Sequence, residues 1–117
     1  MELNDFVMED FARQFDYWVA AGTEVLSDPN ADVGWSSVPD SYREISTAIS
    51  KAGVQPHVDA AVRELMFGLL HSIFVSIDGG TALADRLRLS LIDHDGQEVA
   101  PSLHEAFAEH LAKSGRI

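Results

Sequence analysis

Five histidines and nineteen acids supply the groups that could move a proton or hold a metal. Four of them stand out by position. His71 and Asp78 flank the run "HSIFVSIDGG" (71–80), and His104 with Glu105 sits in "PSLHEAF" (101–107). Imidazole and carboxylate are the usual acid–base partners, and both ligate divalent cations. A histidine from one helix, an acid from the turn that ends it and a histidine from a later helix could converge as such a site. The competing reading is architectural: His71 donates from a half-buried helix face to a backbone carbonyl or to Asp78. His104 and Glu105 are adjacent, so on a helix they diverge by about 100° and are not expected to share a ligand.

Pattern removes most other chemistry. The chain has no cysteine, which excludes a disulfide framework, a thiol nucleophile and cysteine-based zinc sites. His-Glu-x-x-His and Gly-x-Ser-x-Gly are both absent. "DHDGQE" (93–98) is acidic, but its glycine stands fourth where a calcium loop needs it sixth, so it reads as a turn. "DGGT" (78–81) lacks the Walker lysine, and its aspartate would repel phosphate. No motif calls for a cofactor or a metal. His110 falls on an apolar stripe and reads as a hydrogen-bonded core histidine. His57 falls in a first helical turn and reads as solvent-facing.

The elements that must position these residues follow from periodicity. At 117 residues the chain fits one globular domain, 1–117. Leu3, Val7, Phe11, Phe15, Trp18, Gly22, Val25 and Leu26 recur at helical spacing and predict a first helix over 3–26. Gly22 would end it early or let another helix come close. Residues 27–38 read as a turn-rich loop carrying Trp35, as a plug over the core or as a contact residue. A second helix is predicted over 41–52, with Ser41 and Glu44 as a capping box, Tyr42, Ile45, Ile49 and Ala52 inward, and Gly53 at its end. A third is predicted from Pro56 to about 76, apolar over most of its circumference, and so central and packed on several sides. "SIFVSI" within it also fits a buried strand.

After "TALAD", the run "RLRLSLID" (86–93) alternates, with Leu87, Leu89 and Leu91 on one side. Asp95-Gly96 is a hairpin turn signal, and 97–100 would return as a short strand. The last helix begins at Pro101 or Ser102, with Ser102 and Glu105 as a second capping box and Leu103, Phe107, His110 and Leu111 inward. The expected fold class is therefore α+β and mostly α: about four helices with a small C-terminal β-hairpin packed on them.

The net charge is -11, from 19 acids and 8 bases, and it is unevenly spread. Residues 1–40 carry nine acids and one base, a net of -8; 41–92 carry five of each; 93–117 carry five acids and two bases, a net of -3. Such a field repels nucleic acid and anionic membrane, and it steers a basic protein partner. The contacts expected for that partner are Glu2, Asp5, Glu9, Asp16 and Trp35. The acidic start lacks the basic and apolar regions of a secretory signal. The most apolar stretch, 65–77, is shorter than the ~20 residues of a membrane span. A soluble, cytoplasmic chain is expected. A homodimer pairing hairpin edges across a two-fold axis is a further expectation.

The order "LLHSIFVSIDGG" then "LSLIDHDGQEVAPSLHEAF" resembles a pattern in small uncharacterised bacterial proteins. There an apolar helix with His-Ser runs into Asp-Gly-Gly, then a strand, an Asp-Gly turn and a Leu-His-Glu helix. Similar acidic proteins neighbour secreted toxins and are proposed immunity proteins. The resemblance covers about residues 65–110 and implies no catalytic residues. It implies a non-enzymatic interaction domain. The alternative is a small enzyme or metal-binding protein built on His71, Asp78, His104 and Glu105.

Overall fold

The computed structural model describes residues 2–117. In chain order it holds α1 (Leu3–Ser27), α2 (Pro39–Ala52), a 3-10 turn (Gln55–His57), α3 (Val58–Ile77), a second 3-10 turn (Ala82–Asp85) and α4 (Leu103–Lys113). Among the described residues there is no strand. The fold is all-α, which overturns the expected α+β class and its hairpin.

The reason lies in what Leu87 and Leu89 lack, since the returning segment reaches back only to Leu91, whose carbonyl accepts the Val99 N–H at 2.9 Å. Alternation makes a strand only where a partner runs beside it. Here the Asp95-Gly96 turn does form, with Gly96 at φ 83 and Asp93 Oδ1 accepting from the N–H of Asp95 and of Gln97. Only one isolated bridge follows, Ile92 to Glu98. Pro101, without an N–H, then leads into α4. Leu87 and Leu89 stay half exposed, so no buried face fixes a register.

The chain divides into two compact units. The first comprises Met1–Phe15 with Phe67–Ile117. Its core takes Met8, Ala12 and Phe15 from α1, Phe74 from α3, and Leu103, Phe107 and Leu111 from α4, all buried. Phe107 is the hub. Phe15 and Phe74 meet it nearly edge to face, at ring centroid distances of 6.4 and 5.2 Å, and Phe67 stacks on it at 6.5 Å. Burying these rings is worth roughly 2–3 kcal/mol each.

The second unit comprises Asp16–Met66. Val25, Ala31 and Val33 form its small buried cluster, with Leu26 and Tyr42 packed on it. Gly22 does not end α1. It lets α3 approach: a Cβ added there would stand 2.9 Å from Val62 Cγ1.

The helices bury other faces than the sequence suggested. α1 turns Met8, Ala12, Phe15 and Val19 fully inward and leaves Trp18 about half exposed. α2 buries only Ser46, whose hydroxyl donates to the Arg43 carbonyl, while Ile45 is exposed. α2 starts at Pro39, so Ser41 lies inside it and no side chain caps it. α3 is apolar over most of its circumference yet not packed over all of it. Leu65, Leu69 and Ile73 are 72%, 60% and 46% exposed and line one face at four-residue spacing. With its flanks, Gln55–Asp85, α3 is the one helix among the described residues long and apolar enough to cross a membrane by length and composition.

Candidate functional site

The opening cluster forms inside the first unit, but not as the sequence paired it. α3 ends at Ile77, and Asp78 continues its last turn, donating its N–H to Phe74 O at 2.8 Å. Gly79 takes φ 88, and Gly80 donates its N–H to Val75 O at 2.9 Å. Gly80 also has no room for a side chain, since a Cβ would lie 2.7 Å from Val75 Cγ1. The two glycines thus fold the chain back tightly and hold the Asp78 carboxylate at the amino end of α4.

There Asp78 accepts three hydrogen bonds. Oδ1 takes the Leu103 N–H at 2.8 Å; Oδ2 takes the His104 N–H at 2.9 Å and His104 Nδ1 at 2.5 Å. The Asp78 side chain is only 9% exposed. Burial works to raise its pKa, but the two backbone donors and His104 prevail and hold it below the ordinary carboxylate value. Asp78 is therefore the cap of α4. Ser102 stands at the capping position, but its hydroxyl does not bond the helix backbone.

His71 is brought to the cluster without joining its hydrogen bonds. Its ring stacks on Phe67 at 5.7 Å and meets His104 edge-on at 5.4 Å. Its Nδ1 is buried and has no hydrogen-bond partner. The expected bond from His71 to Asp78 is not made, because His104 and the α4 backbone occupy the carboxylate. Glu105 lies outside: its side chain is 77% exposed, and its Oε1 is 3.9 Å from His104 Nε2. Chemically the set is a carboxylate–imidazole pair with both carboxylate oxygens engaged. Among the described residues no hydroxyl is hydrogen-bonded to His104 Nε2 as a nucleophile would be.

The other groups divide between tethered and open. Asp93, His94 and Asp95 bring ligand atoms within 4.8 Å of one another, but Asp93 Oδ1 already organises the turn. His57 is exposed, as expected. His110 reaches Glu9 at 3.5 Å, and Arg116 reaches Glu9 Oε1 at 2.8 Å. The Arg116 hydrogen bond, with His110, holds the Glu9 carboxyl below its ordinary range despite some burial. Glu9 thus ties α1 to the chain end within the first unit. Glu2 and Asp5 are exposed, and Asp16 is half-buried.

Trp35 belongs to a surface that the sequence reading saw only in part. It is 55% exposed, and its Nε1 donates to Asp32 O at 2.9 Å. Tyr17 meets Trp18 at 5.4 Å, Trp18 meets Trp35 at 6.5 Å, and Trp35 meets Tyr42 at 5.8 Å. Four rings form a series in the second unit, and three of them, Tyr17, Trp18 and Trp35, fall in the acidic stretch 1–40. The signal that could have found them is the exclusion of Tyr17 and Trp18 from the Met8–Ala12–Phe15–Val19 stripe. No protein-family model, curated protein or solved structure matches the chain.

Proposed function

We propose that the chain is a non-enzymatic binding protein for a basic protein partner, with immunity to a bacterial toxin as its most concrete version. The observation that carries this reading is the exposed Tyr17–Trp18–Trp35–Tyr42 series, three of whose rings fall in residues 1–40, where the net charge is -8. Tyrosine and tryptophan anchor interfaces because they bury large area at low entropic cost, and acids around them steer a cationic partner. The Asp78–His104 pair supports the same reading from the other side. Both Asp78 oxygens and His104 Nδ1 are engaged in holding α4, which leaves the enzyme or metal alternative only Glu105 as an open carboxylate there.

The test is affinity capture from the source lysate at low and then moderate salt, followed by association kinetics with the protein identified. A basic partner whose on-rate falls several-fold on reversing Glu2 and Asp5 supports the reading. Capture of no basic protein at low salt overturns it. Glu9 is unsuitable for this reversal, because it holds Arg116 and His110.

A second reading has its own observation. The Leu65–Leu69–Ile73 face of α3 carries no charge, on a chain of net charge -11. An uncharged apolar face of this kind suits a second copy of the chain, so we propose self-association along α3 in place of the absent hairpin edge.

A further inference from the structure

Beside Trp18 and Trp35 lies an open cleft of about 310 Å³ within the second unit. Tyr17, Trp18 and Trp35 form its aromatic walls, and Glu24 and Asp32 stand at its acidic edge. No base lines it. The ring planes are steeply crossed, at 89° for Tyr17 and Trp18 and 76° for Trp18 and Trp35, so their faces look in different directions around the space.

We infer that this cleft receives an arginine side chain of the partner. The inference rests on the reading of the chain as a binder of a basic protein, and it names the group that is gripped. A cation within about 6 Å of an aromatic centroid is attracted by the ring face. Both walls and edge therefore favour positive charge. Guanidinium fits better than its rivals: it is planar, so it stacks on indole, and its N–H groups match carboxylates in pairs. An ammonium is more tightly hydrated, and a quaternary ammonium has no N–H for Glu24 or Asp32.

The site is preformed. Asp32 Oδ1 accepts from the Gly34 N–H at 2.9 Å, and the Asp32 carbonyl holds the Trp35 indole. A single turn thus fixes one acid and one aromatic wall, which lowers the ordering cost of binding. Trp18 and Trp35 also wall a second cleft of about 190 Å³, apolar and lined by Leu26, Tyr42, Val62 and Leu65. A large apolar side chain next to the arginine would enter it. The recognised element is an arginine with an apolar neighbour on one partner segment.

The chain has two tryptophans, and both line the clefts, so intrinsic fluorescence reads the site directly. The probes are short blocked peptides with one arginine and one leucine, with lysine for arginine, or with alanine for leucine. The arginine–leucine peptide should give a saturable fluorescence change. The affinity should fall at least fivefold for each replacement and at least fivefold in E24Q, whose exposed side chain does not hold the fold. Equal response to the arginine and lysine peptides overturns the arginine pocket, as does a response unchanged in E24Q or no response at all. The charge-driven partner reading survives each of these results, because it fails only if no basic protein is captured at low salt.

Discussion

Asp78 and His104 are joined twice, once through the His104 backbone N–H at 2.9 Å and once through its Nδ1 at 2.5 Å. They are 26 residues apart, and the pair fastens the end of α3 to the start of α4 within the first unit. A carboxylate at a helix amino end meets both the unpaired N–H groups and the positive end of the helix dipole. Replacing it removes both. D78A should lower stability by about 2 kcal/mol, or about 8 °C in melting temperature, whereas S102A should change it by less than about 0.5 kcal/mol. Thermal unfolding followed by circular dichroism measures both. An equal loss in S102A would mean that Ser102 shares the capping role.

Acid sensitivity follows from the same bond and from Glu9. Both carboxyls sit below their ordinary values of 3.8 and 4.5 in the folded chain. The folded state then binds those protons more weakly than the unfolded state. Their stabilisation is full above the ordinary values and is lost as pH falls through them toward the depressed ones. Urea midpoints should therefore decline from about pH 5 downward, and the decline should be shallower in D78N than in the parent chain. A parallel decline in D78N would place the acid-sensitive groups elsewhere.

Much of the helical layout was legible because helix signals are local. The first helix, expected over 3–26, spans Leu3–Ser27, and Gly53 closes α2 at φ 70. The Asp59–Arg63 and Glu109–Lys113 pairs form at 3.4 and 2.7 Å, as their four-residue spacing implies. What failed was choice of partner. Ser102 has the right spacing for a cap, but the cap is a carboxylate from a distant turn, which takes the N–H groups of Leu103 and His104. Leu87, Leu89 and Leu91 have the right alternation for a strand, but alternation cannot supply a neighbour, and only Leu91 finds one, in Val99. Periodicity located apolar residues on α1 and α3 without telling which face would meet the core. That left Trp18 in the expected seam and Leu65, Leu69 and Ile73 in an expected interior. His71, Asp78 and His104 do lie together and Glu105 stands outside, while the pairing inside the group depends on which of them the α4 backbone claims.

The exposed face of α3 makes the last prediction. Leu65, Leu69 and Ile73 stand four residues apart, and exposed Ala61, Gly68 and Ser72 lie beside them. Large residues in a row flanked by small ones form a ridge with adjoining grooves, the surface that packs helix on helix. Leaving three such side chains in water is costly, at roughly 25 cal/mol for each Å² of apolar surface. Burial against a second copy recovers that cost. Sedimentation at increasing concentration should show twice the mass of the chain, with L69E reverting to the mass of one chain. L69E should melt close to the parent when both are compared as monomers, since Leu69 is 60% exposed. A parent that stays monomeric at every concentration would remove self-association along α3.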